Sequence, residues 1–276
     1  MSSILTNNSA MVALQTLKSV NSNLAKTQDM ISTGKEIGKA KDNSAIWAIS
    51  KVMESDVSGF KAVSKSLALG ESTVAVASAG AEQIVNLLTE MKEKVVAATG
   101  ENVDHAKLNA DVTKMKEQIT SIIGASQFNG SNLLSGVTGT DDITVLSSID
   151  RTDATTVVPK NITVAAVGFT TSLDLSTVNL TDATTSEASV TAIEALIETA
   201  VTGAAALGAS EKTISDQSDF VSKLTDAMKS GIGALVDADM EETSARLQAL
   251  QVQQQLSTQS LSIANQAPQA ILSLFR

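Results

Sequence analysis

The sequence predicts a mainly α protein: a long coiled-coil-like helical bundle made from both termini, with a small β-hairpin insert in the middle. Apolar residues recur at helical spacing over most of both halves of the 276-residue chain. The only prolines are Pro159 and Pro268, so no proline breaks a helix in the first half. Aromatic residues make up 2% of the chain, which suits long helices packed through small aliphatic side chains.

The C-terminal stretch 235–276 differs from an ordinary surface helix, because no charged side chain occurs between Arg246 and Arg276. Its polar positions hold mostly Gln, Ser, Thr and Asn, which cost far less than charges when they are buried and hydrogen-bonded. We therefore expect a helix surrounded by other protein. Its first apolar stripe comprises Ala249, Val252, Leu256, Ile263, Ala267 and Ala270, and its second stripe comprises Leu247, Leu250, Leu261 and Ala264.

The N-terminal segment mirrors this pattern, since Lys18 is its first charged residue. Ordering about 40 residues costs on the order of 60 kcal/mol, whereas burying about ten apolar side chains returns roughly 15–30 kcal/mol. A single chain offers the terminal stripes no partner, so we expect both ends to be disordered in the monomer and buried together on assembly. The predicted self-assembly residues are Ile4, Leu5, Met11, Leu14, Leu17, Leu24, Ile31, Leu250, Leu256, Leu261, Ile263, Ile271, Leu272, Leu274 and Phe275.

The first half of the chain reads as three helices. Residues 1–33 form the first, and a loop follows in which Asp42, Asn43 and Ser44 offer N-cap chemistry for the second. A heptad seam then runs from Ile46 to Ala98, with faults at Asp56 and Gly70. The third helix, 103–123, is predicted to fold back antiparallel on the second.

The amino-acid composition changes at Gly124, and residues 128–185 are rich in Gly, Thr, Ser and Asp. Alternating pieces at 143–146, 155–158 and 161–169 predict short strands. Helical periodicity returns at Val190 and continues to Leu235. The helices on either side of the insert are expected to pack as one bundle, whose core is discontinuous in sequence.

Composition excludes several classes of function. A formal charge of −10 argues against nucleic-acid binding and against anionic membrane surfaces. No apolar run is long enough for a transmembrane span, so no membrane insertion is expected. The N-terminus lacks the basic and apolar regions of a cleaved signal peptide, and the chain contains no cysteine for disulfides or metal binding.

No constellation of residues predicts catalysis, a cofactor or a metal site. His105 is the only histidine, and we interpret it as an exposed residue at a helix start. Asp237, Asp239, Glu241 and Glu242 form an acidic cluster, interpreted as a charged segment of a helix. Within an assembly these acids are hypothesised to pair with Lys35, Lys39 or Lys41. Unchanged polymerisation after charge reversal at Lys39 or Lys41 would count against that pairing.

Four segments resemble bacterial flagellin: SILTNNSAMVALQTL near the N-terminus, ISTGKEIGKAKDNSAIWAIS, QFNG at 127–130, and the close from VDADMEETSARLQAL to QAPQAILSLFR. The chain is most similar to short flagellins of the alphaproteobacterial type. The resemblance implies a subunit that self-polymerises into the flagellar filament for swimming motility. It also implies export of the unfolded chain, assembly at the distal tip, and O-linked sugars or a plain hydrophilic surface over 137–185.

Carried over by position, the resemblance implies three regions. They are an inner terminal helix pair (1–40 plus 235–276), an outer helical bundle (41–127 plus 186–234) and a β-rich insert of the outer domain (128–185). The implied partners are the chain itself in a helical homopolymer, hook-associated and cap proteins, the flagellar type III export apparatus and an export chaperone. The implied location is the extracellular filament.

Two alternatives share some of these features. A hook–filament junction protein has similar helical ends, although the FNG and NQAPQAILSLFR patterns favour a filament subunit. A soluble coiled-coil scaffold would instead form a stable folded dimer with protected termini. An enzyme is the weakest alternative.

Overall fold

The computed structural model describes residues 7–274, apart from Thr138 and residues 153–155; for residues 267–274 it describes the backbone alone. The helices are α1 (Asn8–Thr33), α2 (Ser44–Ala97), α3 (His105–Ala125), α4 (Phe169–Ser172), α5 (Ala183–Val236) and α6 (Met240–Leu274). The strands are β1 (Ile143–Arg151) and β2 (Val157–Val164), and a 3₁₀ turn lies at Leu175–Thr177. The predicted mainly α fold with a small β insert is confirmed.

Side-chain and backbone caps set where the first two helices begin and end. Asn7 caps α1, because its Oδ1 accepts a backbone N–H of the first turn at 3.1 Å. Asn43, one of the three predicted capping residues, accepts the Ile46 N–H at 3.2 Å before α2. Gly34 ends α1 with a left-handed φ of 69° and donates its N–H to the Met30 carbonyl at 2.9 Å.

In the described part of the β insert, β1 and β2 pair antiparallel, with Ile143 opposite Val164 and Arg151 opposite Val157. Three strand pieces were predicted, but the last two merge into β2, which runs through Pro159. Proline is tolerated there because both strands of a two-stranded sheet are edge strands.

The chain leaves the sheet after β2, so the predicted strand over 161–169 is wrong in its second half. The backbone finds other partners instead: the Ala166 N–H donates to Asp142 Oδ1 at 2.9 Å, and the Phe169 N–H donates to the Leu134 carbonyl at 2.6 Å. The Phe169 side chain is fully buried. Burial of this ring and these bonds override the strand propensity of the segment.

One compact unit comprises residues 56–226. Its core follows the predicted heptad seams and includes Val63, Leu67, Val74, Ile84, Leu88, Val112, Ile119, Ile193, Leu207 and Ile214. The two faults in the α2 seam are where the hairpin docks. Asp56 accepts bonds from Arg151 Nε at 3.1 Å and Nη2 at 2.5 Å, and a Cβ on Gly70 would lie 2.5 Å from Val145 Cγ2.

The other compact unit combines residues 1–55 with 227–276. Within it α1 packs along α6. The expectation that both ends are disordered in the monomer and buried together on assembly stays a prediction. Ile49, assigned to the α2 seam, is 54% exposed, whereas Ile46 and Met53 of the same seam are half-buried. The assignment of inner pair, outer bundle and insert stays a prediction.

Helix α5 is, by length and composition, apolar enough to cross a membrane. Its Ile193, Ala200 and Leu207 are buried by the rest of the 56–226 unit. The core helix of a folded domain passes the same test, and the expected lack of membrane insertion stays a prediction.

Candidate self-assembly interface

Helices α1 and α6 contact each other through one narrow stripe on each helix. Val20 and Thr27 are buried on α1, and Leu250 and Ser257 are buried on α6. Both pairs are seven residues apart, so each pair lies on one face of its helix. The contact buries few of the apolar residues that the two helices carry.

Neutral amides also join the two helices. Gln254 Nε2 donates to Asn21 Oδ1 at 2.7 Å, and Asn7 Nδ2 donates to the Ala264 carbonyl at 2.8 Å. Asn7 therefore caps α1 and anchors it to α6 with the same side chain. These bonds fit the expectation that the uncharged polar residues of the termini form hydrogen bonds with other protein groups when they are covered.

The first apolar stripe of α6 is exposed. Val252, Leu256 and Ile263 are 56%, 57% and 63% exposed. At 100° per residue they lie on the opposite side of α6 from Leu250, which faces α1. Helix α6 thus has one apolar side against α1 and a second apolar side open to solvent.

The predicted assembly residues whose side chains are described fall into three groups. Leu250 is buried in the helix pair, and Leu17, Leu24, Ile31 and Leu261 are half-buried. Met11, Leu14, Leu256 and Ile263 are exposed. Ile4, Leu5 and Phe275 lie outside the described residues, and Ile271, Leu272 and Leu274 lie where only the backbone is described.

The expectation that a single chain offers the terminal stripes no partner is wrong for the second stripe, because α1 covers Leu250 and half-buries Leu261. Sequence reasoning also missed Val20, which is 3% exposed, and Val12, which is 64% exposed. Val20 lies three residues after Leu17, so the three–four helical spacing contained the signal that would have found it.

Two chain segments that flank the terminal helices form what we call the clasp, residues 34–37 and 236–238. Glu36 and Ile37 both donate their N–H to the Val236 carbonyl, at 2.8 and 3.3 Å. In return, the Ala238 N–H donates to the Gly34 carbonyl at 2.9 Å. The clasp joins the C-terminal end of α1 to the N-terminal end of α6.

The lysines beside the clasp pair with acids outside the acidic cluster. Lys39 Nζ lies 2.6 Å from Asp29 Oδ2, and this bond holds the pKa of Asp29 below its usual range. Lys35 lies 3.2 Å from Glu54, whose pKa is lowered first by Lys51 and then by Lys35. The hypothesised pairing of these lysines with the cluster therefore stays a prediction about the assembly.

The acidic cluster serves the start of α6. Asp239 Oδ1 accepts the N–H groups of Glu241 and Glu242 at 2.9 and 3.1 Å, and acidic side chains near a helix N-terminus are favourable. Among the described residues, no group of three or more His, Cys, Asp or Glu side chains could hold a metal ion. His105 starts α3 as predicted but is half-buried rather than exposed, and its Nδ1 atom is enclosed.

The QFNG segment has a clear structural role. Asn129 and Gly130 have φ values of 51° and 84°, and Phe128 and Ser131 exchange both backbone hydrogen bonds across them. This geometry is that of a type I′ turn, which favours Asn-Gly because both central residues need positive φ.

Comparison with known proteins identifies the family. The "Bacterial flagellin N-terminal helical region" matches residues 4–138, and the "Bacterial flagellin C-terminal helical region" matches residues 190–275. Flagellin FljM of Caulobacter vibrioides is 41% identical over 281 residues, which cover 100% of this chain and 99% of that protein. A flagellin of Brucella melitensis is 42% identical over 288 residues and 100% of both chains.

The structure of Bacillus cereus flagellin aligns with 66% of this chain and 94% of its own, with a TM-score of 0.41 and 20% identity. The sequence relatives span the whole chain and confirm the resemblance to short alphaproteobacterial flagellins. The two matched regions and these relatives show that the chain belongs to the bacterial flagellin family and is a structural subunit of the flagellar filament rather than an enzyme.

Proposed function

We propose that the chain polymerises through the exposed apolar residues of its terminal helices, and that the α1–α6 pair is the inner element of the filament. The single observation that carries this proposal is the first stripe of α6, whose Val252, Leu256 and Ile263 are each more than half exposed. A second copy of the chain supplies the missing partner, because no charged residue between Arg246 and Arg276 opposes burial.

The α1 helix extends the same surface. Met11, Val12 and Leu14 are 54%, 64% and 44% exposed, and the segment before Lys18 is uncharged. An uncharged apolar surface gains from burial without the desolvation cost of ions. Both terminal helices therefore contribute to contacts between copies. The roles of Ile4, Leu5, Ile271, Leu272, Leu274 and Phe275 stay predictions from the sequence.

The remaining roles follow from family membership and stay part of the proposal. Residues 41–127 plus 186–234 form the outer bundle, with 128–185 as its β-rich insert. The chain is exported unfolded by the flagellar type III apparatus with the help of a chaperone, and it assembles extracellularly at the tip, where it meets cap and hook-associated proteins. Val20 and Leu250 are the buried apolar side chains among those described in α1 and α6, and this supports export because a contact with little apolar burial is easily opened.

Leu256→Ala tests the proposed surface. Leu256 is 57% exposed in the single chain, so assembly has roughly 1–2 kcal/mol of Leu burial left to gain. We expect the critical concentration for seeded polymerisation to rise about five- to thirtyfold, measured by sedimentation. The folded state of the monomer, followed by circular dichroism, is expected to stay unchanged.

Val157→Ala is the matched control, because Val157 is an exposed apolar residue of β2 outside the proposed surface. Its critical concentration is expected to equal that of the unmodified chain. Equal critical concentrations for Leu256→Ala and Val157→Ala would contradict the proposed surface.

A further inference from the structure

We infer that the clasp is an ordering device, which makes the two terminal segments fold together from the clasp outward when the subunit assembles. The inference rests on the proposed function, since it concerns how the assembly surface becomes ordered. It is carried by the backbone pairing of residues 34–37 with 236–238, by the ion pairs around it and by the distribution of burial along α1 and α6.

The clasp ties together two segments that are distant in sequence. Its three backbone hydrogen bonds join the connection between α1 and α2 to the connection between α5 and α6. Lys35 and Asp237 lie opposite each other as an antiparallel bridge pair. Once this pairing forms, the first turn of α6 and the last turn of α1 are adjacent before any other part of the two helices needs to meet.

Interactions are concentrated at the clasp end of the helix pair. The Lys39–Asp29 and Lys35–Glu54 ion pairs both lie there. Buried side chains extend from Thr243 to Ser257 on α6 and from Thr27 back to Val20 on α1. Farther out, at 8–19 of α1 and 258–266 of α6, none of the described side chains is buried.

This gradient sets the order in which the pair folds. Helix formation has a costly first turn and then propagates, so the segment with the most contacts provides the nucleus. The clasp end supplies backbone bonds, ion pairs and buried side chains together. The tips have the Asn7–Ala264 bond and half-buried side chains, and their exposed apolar side chains gain partners from another copy.

A disulfide across the clasp tests the inference. The chain has no cysteine, and Lys35 and Asp237 occupy a non-hydrogen-bonded antiparallel pair, in which Cα atoms lie about 4.5 Å apart and suit a disulfide. In the full chain carrying Lys35→Cys and Asp237→Cys, oxidation closes the clasp before assembly. We expect the oxidised form to polymerise with a critical concentration about five- to tenfold lower than its reduced form, because part of the ordering precedes assembly.

A glycine pair tests the opposite direction. Gly34→Ala places a side chain at φ 69° and is expected to raise the critical concentration roughly fivefold. Gly38→Ala is the matched control: Gly38 lies in the same loop without a left-handed φ, and its added Cβ meets no atom within 4 Å. That variant is expected to polymerise like the unmodified chain.

The outcomes separate the two proposals. Normal filaments whose critical concentration is the same for the oxidised and reduced clasp, or for Gly34→Ala and Gly38→Ala, would overturn the clasp inference and leave the filament proposal intact. Hydrogen exchange on the oxidised monomer adds a direct readout: backbone amides near the clasp are expected to be more protected than amides at the tips. Failure of the unmodified chain to polymerise from seeds would overturn the proposed function itself.

Discussion

At the scale of single residues, absent side chains are as informative as present ones. Gly203 lies on α5 where Phe169 and Val167 pack against the helix backbone. A Cβ there would lie 2.7 Å from the nearest Phe169 ring atom, which is closer than real contacts allow. The position therefore requires glycine for packing, although glycine weakens a helix interior.

Gly203→Ala is expected to lower the free energy of unfolding by about 1–3 kcal/mol, because overpacking the buried Phe169 outweighs the gain in helix propensity. Gly208→Ala is the matched control on the same helix, since its added Cβ meets no atom within 4 Å. It is expected to raise the free energy of unfolding by about 0.5–1 kcal/mol. Urea denaturation of the two variants measures both changes, and shifts of the same sign would contradict the packing.

Asp142 joins the two ends of the hairpin region through one carboxylate. Its Oδ1 accepts the N–H groups of Ala166 and Gly139, each at 2.9 Å, and these bonds lower the pKa of Asp142, with Ala166 contributing most. A lowered folded pKa stabilises the fold above the unfolded value of about 3.9, and this contribution is lost as pH falls through the folded pKa.

Asp142→Asn is expected to make the free energy of unfolding less dependent on pH in the acidic range. Between about pH 5 and about pH 2.5 the free energy of unfolding should fall less steeply in the variant than in the unmodified chain, because the variant lacks this carboxylate. Urea denaturation at a series of pH values measures the two slopes. Identical slopes would show that Asp142 does not contribute through its charge.

At the scale of elements, periodic packing could be predicted from the sequence and long-range docking could not. The α2 seam was found because core contacts repeat every three or four residues. The faults at Asp56 and Gly70 had no local explanation, since their partners Arg151 and Val145 lie far along the chain. Only the folded hairpin shows that these faults form its docking site.

The strand boundaries illustrate the same limit. Alternating residues predicted strands in the right region, and β1 was expected at its observed start, Ile143. The end of β2 at Val164 depends on Asp142 and Leu134, which accept hydrogen bonds from the backbone that follows the strand. Such long-range hydrogen bonds leave no periodic pattern in the sequence of the strand itself.

The candidate site was predicted to a similar degree. Both stripes of α6 could be identified from spacing alone, but not which stripe faces α1, because Leu250 and Leu256 are equivalent in hydrophobicity. Their exposures of 9% and 57% separate the two roles. The clasp was not predicted, since backbone pairing between 34–37 and 236–238 does not depend on side-chain identity.

At the scale of the whole molecule, the two parts of the chain differ in what stabilises them. Residues 56–226 contain a long buried core of their own. The terminal helices bury few apolar side chains and carry exposed apolar stripes, so we expect other copies to supply most of their stabilisation. The central claim is therefore that the ends become ordered when the subunit assembles.

Limited proteolysis before and after polymerisation tests this claim most directly. Trypsin can cut after Lys18 and Lys26 in α1 and after Arg246 in α6, all of which are exposed in the single chain. We expect rapid cleavage at these three positions in the monomer, with residues 56–226 resistant, and protection of all three in filaments seen by electron microscopy. Termini that resist trypsin equally in a monomer or dimer that never polymerises would contradict it.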